Sequence, residues 1–335
     1  MKTHVKQTTL RRLISLVMLA ILVALFGVLG GGSFLTPGNF SEILRDASVV
    51  GIIGVGVTYV IITAGIDLST GSMMALVGMT MANVYAYTAL PIWLMIVIGM
   101  VVGLIAGLIN GLIVARLNVP EFIGTLATMG VFRAVTYLIA IKDAHGVIQS
   151  QPLTVPEYTV LGASVGPLFV VTIVMALFIA AGQVVLKYTR FGTRLYAVGA
   201  NRKAATLSGI DVARTRVIAY VIVGLCVSVG AIFTTARLQS TTALLGSGFE
   251  FDPIAAAVVG GVSLAGGSGD IVGTLIGAVF MATLENGVLK LHMNTAYQYI
   301  IKGVVIVLVV MLDALYKSRL ERASRERGAQ GGAEA

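Results

Sequence analysis

Residues 91–115 read PIWLMIVIGMVVGLIAGLINGLIVA, a stretch that contains no charged side chain. A helix needs about 20 consecutive apolar residues to cross the hydrocarbon core of a bilayer. Within the stretch, glycine recurs at every fourth position, at Gly99, Gly103, Gly107 and Gly111. Residues four apart lie on one face of an α-helix, and small residues let two membrane helices approach closely. The stretch therefore predicts a membrane-spanning helix packed tightly against a neighbour.

The rest of the chain has a similar composition. Of its 335 residues, 57% are hydrophobic and only 11% are charged, whereas a soluble globular domain has about 25% charged residues. Most of the surface must therefore face lipid, and the chain is predicted to be an all-α membrane protein with about ten transmembrane helices. The ten apolar segments, of which the eighth is short, are 13–29, 47–64, 71–90, 91–115, 120–141, 166–186, 217–236, 253–267, 271–289 and 296–315.

The lysines and arginines are distributed unevenly between the loops. If the N-terminus is cytoplasmic, 17 of them fall on the cytoplasmic side, and 4 fall outside, namely Arg45, Lys142, Arg237 and Lys290. This bias follows the positive-inside rule and predicts a multi-pass protein of the bacterial inner membrane with both termini cytoplasmic. The net charge of +8 then lies next to membrane lipid, which argues against a nucleic-acid partner.

This topology divides the chain into three parts. Residues 1–12 form a cytoplasmic N-terminus, residues 13–315 form the membrane domain, and residues 316–335 form a polar cytoplasmic tail that we expect to be disordered. The apolar run 13–29 is interpreted as a span rather than a signal peptide, because no cleavage site followed by a soluble domain is present.

A weak internal repeat relates the two halves. Asn110-Gly111 ends the fourth segment and Asn286-Gly287 ends the ninth, and in each case a further asparagine follows eight residues after the first. Five spans separate the two motifs, so the halves would insert in opposite orientations, as inverted repeats do in many transporters.

The largest predicted cytoplasmic loop, residues 187–216, contains a candidate docking helix. Asn201 is a suitable N-cap, Arg202 to Ser208 form the helix, and Gly209 ends it before Ile210. The loop is either a solvated topology determinant or a docking site for a cytoplasmic partner. The small apolar residues Ala204, Ala205 and Leu207 favour docking.

Polar residues within membrane spans are costly and usually face the bundle interior. The candidates for a translocation path or gate are Asp67, Ser69, Asn110, Asn286 and Gln298. Asp67 lies in a polar break that could line a cavity, or it could cap the third helix by bonding amides near Gly71. Asn110 and Asn286 could bond across helices or contact solute.

Three charged residues have structural interpretations. Glu285 and Lys302 are predicted to pair between the ninth and tenth segments. Glu121 is predicted to lie in the first turn of the fifth helix, where a negative charge suits the helix dipole.

The sequence indicates a transport subunit rather than an enzyme. The histidines lie at the N-terminus or in predicted outer loops, and Cys226 is alone, so no nucleophile–base set or metal site is predicted. No glycine is followed directly by lysine, so the chain lacks a Walker A loop and no cofactor is expected in it.

Three motifs resemble those of the ribose-type monosaccharide ABC transporter permeases. They are Gly65-Ile66-Asp67-Leu68-Ser69-Thr70-Gly71-Ser72, the loop from Phe191 through Gly199 and Asn201 to Ile210, and Gly260 to Gly269. The resemblance implies a fold like that of the cobalamin-importer permeases, with two related halves. It also implies a second permease subunit (a homodimer or a paralogue), a periplasmic sugar-binding protein, and an ABC ATPase that holds ATP and Mg²⁺ and docks on residues 187–216.

The implied function is import of a sugar, because the related branched-chain amino acid permeases lack the aspartate-bearing form at Asp67. The sugar or polyol itself is not implied. The alternative is a transporter with a different energy source, namely an ion-coupled secondary transporter of a small polar solute. It would use intramembrane acids such as Asp67 and Glu285.

Overall fold

The computed structural model describes residues 2–311 except 89, 144, 295 and 309. It is mostly helical. The helices are α1 (Lys2–Leu29), α2 (Pro37–Ile62), α3 (Thr70–Tyr87), α4 (Ile92–Ala115), α5 (Glu121–Ile139), α6 (Pro156–Thr159), α7 (Val170–Tyr188), α8 (Arg190–Ala200), α9 (Arg202–Leu207), α10 (Val212–Leu238), α11 (Phe251–Val259), α12 (Ile271–Lys290) and α13 (Ala296–Leu308), with 3-10 turns at Gly31–Ser33 and Val160–Gly162. The predicted tail, 316–335, lies outside the described residues.

Seven of the described helices are long and apolar enough to cross a membrane. They are α2, α4, α5, α7, α10, α12 and the Arg12–Leu29 part of α1, and they correspond to seven of the ten predicted segments. The third predicted segment forms α3, an 18-residue helix of lower hydropathy. The tenth begins as the short α13, and its end lies beyond the described part of the chain.

The eighth predicted segment, 253–267, is not a spanning helix. Helix α11 ends at Val259 after nine residues, which rise about 14 Å against a hydrocarbon core of about 30 Å. Beyond it the chain passes through Gly261, Gly266 and Gly267, all with positive φ, a conformation that glycine adopts without strain and a helix cannot contain. The segment is apolar in composition, but its glycines interrupt the helix.

The glycine stripe of α4 packs as predicted. A methyl group on Gly107 would meet the Tyr220 carbonyl of α10, and one on Gly111 would lie 2.9 Å from the Val217 Cα atom. Gly103 also faces α10, whereas Gly99 faces Met81 of α3. At Gly107 the nearest atoms of α10 all belong to its backbone, so α4 and α10 lie in direct backbone contact there.

Helices α2 and α10 form the centre of the bundle. In the most apolar 18-residue stretch of α2, 83% of the residues are buried. Helix α2 packs against α7, α10, α11 and α12. It begins ten residues before its predicted start at residue 47, since Thr36 accepts a hydrogen bond from the Asn39 amide and Pro37 occupies the first turn. The main core lies between α2, α3, α4 and α10.

Two small antiparallel sheets lie in the loops that precede α7 and α11. Strand β1 (Gln151–Pro152) pairs with β4 (Ser240–Thr241), with Gln151 opposite Thr241. Strand β2 (Ser164–Val165) pairs with β3 (Leu168–Phe169) as a short hairpin. The first sheet holds the 140–155 segment against the loop that leads into α11.

Candidate functional site

Three of the five predicted path residues form one buried cluster. Asp67 is fully buried in the loop between α2 and α3. Its Oδ1 atom accepts hydrogen bonds from the Ser69 amide at 2.9 Å and the Ser69 hydroxyl at 2.7 Å. Asn110 of α4 donates through Nδ2 to the Ser69 hydroxyl at 2.7 Å and to both Asp67 oxygens at 3.4 Å. We call Asp67, Ser69 and Asn110 the Asp67 cluster.

The predicted capping role of Asp67 is wrong in detail. Ser69 is the N-cap residue of α3, and its side chain makes no capping bond. Asp67 bonds instead to the amide two residues along, which is an Asx turn, so its carboxylate stabilises the turn before the helix. Within the cluster region, Asn110 Oδ1 and Thr70 Oγ1 are buried without a hydrogen-bond partner, which is unusual for buried polar atoms.

The candidate docking helix forms as predicted. Asn201 caps α9 by accepting a hydrogen bond from the Ala204 amide at 3.0 Å, and Gly209 ends it with φ +78°. Leu207 is 90% exposed, whereas Ala205 is 4% exposed and packs inward. The exposed members of the predicted docking set are Asn201, Arg202, Ala204, Leu207, Ser208 and Gly209, while Gly199 and Ile210 are half-buried.

The candidate docking segment is attached to the end of α2. The Gly267 amide donates to the Ile62 carbonyl at 2.9 Å, and Gly199 of α8 lies so close to this hydrogen bond that a Cβ atom there would be 2.5 Å from the Gly267 nitrogen. Arg202 of α9 donates through Nη2 to the Thr63 and Ala64 carbonyls, each at 3.3 Å. The contact leaves no room for a side chain at position 199.

Helix α8 makes a second contact with the loop that precedes α12. The Tyr196 hydroxyl donates to the Gly269 carbonyl at 2.7 Å. Burial, with a smaller contribution from the charge of Asp270, raises the pKa of Tyr196 to about 12, so the hydroxyl stays a donor at neutral pH. The segments 191–210 and 260–269 therefore meet the end of α2 at one end of the helix bundle. The third motif, 65–72, begins directly after this contact.

Comparison with known proteins identifies the family of the chain. The family model described as "Branched-chain amino acid transport system / permease component" matches residues 39–310. The chain belongs to this family. The permease is 40% identical to the ribose import permease protein of Bacillus subtilis (strain 168), over 88% of its own length and 90% of that protein.

Other relatives of the permease have slightly lower sequence identity over a similar share of the chain. It is 38% identical to the ribose import permease protein of Escherichia coli (strain K12), with 89% and 92% of the two chains covered. It is 33% identical to the xylose transport system permease protein of the same strain, with 90% and 92% covered. No solved structure matches the permease.

The other two predicted path residues lie elsewhere in the permease. Asn286 of α12 accepts a hydrogen bond through Oδ1 from Asn39 Nδ2 of α2 at 2.9 Å, so it bonds across helices. Gln298 is half-buried on α13. Asn39 was missed because the sequence places it before the second apolar segment, although Pro37 and the Thr36 cap mark the true start of α2.

Lys302 of α13 joins two acidic residues. The predicted pair with Glu285 is confirmed, and Lys302 also pairs with Asp252 of α11 at 2.7 Å. The Asp252 side chain is 7% exposed. Sequence reasoning missed it because it lies just before the eighth apolar segment, although an acid followed by Pro253 is typical of a first helical turn.

Glu121 is the first residue of α5, as predicted from the helix dipole, and it also pairs with two arginines. One is Arg202. The other is Arg216 of α10, whose side chain is 6% exposed. From the sequence, Arg216 is one of several loop arginines, and nothing in its neighbours distinguishes it as buried.

Proposed function

We propose that this permease is the membrane subunit of an ATP-driven, binding-protein-dependent ABC importer of a ribose-like monosaccharide. The observation that supports it best is the meeting of the motif segments 191–210 and 260–269 with the end of α2 at one end of the bundle, where α9 presents an exposed Leu207. The named relatives transport ribose or xylose, and the permease shares nearly their whole length. The positive-inside bias supports placing this end, and both termini, in the cytoplasm.

The segment 187–216 is the proposed docking site of the ABC ATPase. An exposed leucine on a short, capped helix is suited to a pocket of a partner protein, because burying it gains about 2 kcal/mol. Ala205 holds α9 on the bundle, and Gly199 holds α8. Both residues pack against the bundle, so neither is free to contact a partner. ATP and Mg²⁺ would be bound by the ATPase, and a periplasmic sugar-binding protein would deliver the solute.

The Asp67 cluster is the proposed wall or gate of the solute path. Sugars are neutral and offer hydroxyl groups that both donate and accept hydrogen bonds. The unpaired Asn110 Oδ1 and Thr70 Oγ1 atoms are acceptors at the edge of the cluster that a hydroxyl or water could satisfy. Asn286 and Gln298 remain candidates on α12 and α13.

An inverted repeat in the manner of the cobalamin-importer permeases is supported by the helix pairing. The five-span repeat relates α4 to α12, α2 to α10 and α3 to α11. Helix α4 packs on α10, and correspondingly α12 packs on α2. Helix α3 packs on α4 as α11 packs on α12. The start of α3 touches the loop that precedes α11, the counterpart of α3, where Gly71 meets Gly246. A second permease subunit, identical or paralogous, would complete the pathway.

Reconstitution in proteoliposomes tests the proposed function. The expected result is radiolabelled ribose uptake that requires the ABC ATPase, ATP and the binding protein together. Uptake by the permease alone, driven by a proton or sodium gradient, would establish the alternative, an ion-coupled secondary transporter.

Docking is tested by Leu207→Asp. Loss of a buried leucine contact of about 2 kcal/mol weakens binding of the ATPase more than tenfold, so we expect the ATPase to be lost on affinity purification while the unfolding temperature is unchanged. The control is Val165→Asp, which alters a 61% exposed apolar residue of β2. Equal ATPase recovery with both variants would contradict docking through α9.

A further inference from the structure

One carboxylate connects the docking helix to the transmembrane bundle. Glu121, at the start of α5, accepts a hydrogen bond at Oε1 from Arg202 Nη2 at 2.6 Å. The same oxygen accepts a hydrogen bond from Arg216 Nη2. Arg202 belongs to α9 and Arg216 to the first turns of α10. We call these three residues the Glu121 triad.

Both arginines extend the triad to further helices. The Nη2 atom of Arg202 also contacts the Thr63 and Ala64 carbonyls, which follow α2 and lead into the loop that contains Asp67. Arg216 donates through Nη1 to the Val114 carbonyl at the end of α4, although at 3.5 Å this bond is long. The triad thus links α9 to α5 and α10 and to the ends of α2 and α4, and α4 also provides Asn110.

The two ion pairs of the triad, Glu121–Arg202 and Glu121–Arg216, differ in exposure. The Arg202 side chain is 42% exposed, whereas that of Arg216 is 6% exposed and its Nε atom is buried without a partner. Exposed ion pairs are weak, and breaking a buried pair leaves an uncompensated charge. A displacement of α9 would therefore separate Arg202 from Glu121 first, while Glu121 and Arg216 stay together.

We propose that the Glu121–Arg202 contact transmits movement of α9 to the end of α2 and the Asp67 cluster. Arg202 and Glu121 are positioning residues: in one state they hold the 63–69 loop through the Thr63 and Ala64 carbonyls, and withdrawal of α9 by the ATPase releases it. This inference rests on the proposed function. A ligand-driven change needs contacts that differ between two states, and the Arg202 contacts are of that kind.

The test is the ratio of sugar uptake to ATP hydrolysis in proteoliposomes that contain the permease, its ABC ATPase and the sugar-binding protein. Arg202→Gln is the main variant, because its 42% exposed side chain can be replaced without leaving a buried cation. Glu121→Gln is the second variant. Glu121→Asp keeps the negative charge and should restore part of the wild-type uptake-to-hydrolysis ratio. The control is Lys203→Gln, which removes an exposed positive charge from the neighbouring position of the same helix.

We expect Arg202→Gln and Glu121→Gln to lower the uptake-to-hydrolysis ratio about tenfold, which lies within the range of typical couplings between two sites. The Arg202 head group bonds to Glu121 and to backbone carbonyls of the bundle and is not presented to a partner. ATPase recovery on purification should therefore stay at the wild-type level, and Lys203→Gln should keep the wild-type ratio. If Glu121→Gln fails to fold because Arg216 loses its partner, Arg202→Gln alone decides the question.

Two results would overturn the inference. One is a wild-type ratio in Arg202→Gln, and the other is a parallel loss of uptake and hydrolysis, which would reduce the triad to a docking or folding contact. If instead the wild-type permease shows no ATP-dependent uptake in this assay, the proposed function itself is wrong and the inference falls with it.

Discussion

Replacing Gly199 with alanine should detach the proposed docking segment from the bundle. The new Cβ atom would lie 2.5 Å from the Gly267 nitrogen and closer still to the Ile62 carbonyl oxygen, both of them backbone atoms that cannot rotate away. Ordinary contacts between carbon and a carbonyl oxygen are about 3.3–3.6 Å. To make room, α8 must shift away from both atoms by more than an ångström, or the new Cβ atom must wedge between them and stretch the Gly267–Ile62 hydrogen bond.

The expected cost combines two effects. Inserting a methyl group into a closed contact costs about 1–3 kcal/mol, and leaving a buried amide or carbonyl without its partner adds about 1 kcal/mol or more. We therefore expect Gly199→Ala to lose about 2–4 kcal/mol in the attachment of α8 and α9. In detergent, this should appear as a lower unfolding temperature and as faster protease cleavage within 187–216.

The matched control is Gly130→Ala in α5, where nothing lies within 4 Å of the added methyl group. Alanine favours a helix over glycine by about 1 kcal/mol, so this variant should be as stable as the wild type or slightly more stable. If Gly199→Ala unfolds at the same temperature as Gly130→Ala and resists protease equally, the close contact between α8 and the end of α2 is wrong.

Two further substitutions test the buried polar groups. Asp67→Asn should lower stability by about 2 kcal/mol and impair uptake, because the new amide group would face the Asn110 amide group and leave a buried donor unsatisfied, which costs about 1–3 kcal/mol. Thermal unfolding and ribose uptake measure the two effects, and full uptake would exclude Asp67 from the path. Lys302→Met should cost about 3–5 kcal/mol, since it leaves Asp252 and Glu285 without a counter-charge. Thermal unfolding should show partial recovery when Asp252→Asn is added, and no recovery would contradict the pair.

The long helices could be predicted from the sequence because lipid imposes one simple requirement, a continuous apolar run. Segments such as 91–115 meet it without ambiguity, and their helices agree closely with the prediction. The same criterion failed for 253–267, where apolar composition continues through glycines whose positive φ interrupts the helix. Average hydropathy is insensitive to backbone conformation, so this break could not be detected.

The Asp67 cluster could be predicted only as a set of candidates. Asp67 and Asn110 are 43 positions apart in the chain, and their contact depends on the turn before α3 and on the packing of α4. Nothing in the sequence separates Asn110 from Asn286, yet Asn286 bonds to Asn39 instead. Helix α9, in contrast, was predictable because its cap, Asn201, and its terminating glycine, Gly209, are local signals.

The direct backbone contact between α4 and α10 has a mechanical consequence. A methyl group on Gly224 would collide with the Gly103 carbonyl, so at this crossing the two backbones touch and no side chain lies between them that could rearrange. Close-packed interfaces change between discrete arrangements rather than deforming smoothly. We therefore expect α4 and α10 to move as one rigid body, with Asn110 and Arg216 keeping a fixed separation while the surrounding helices shift.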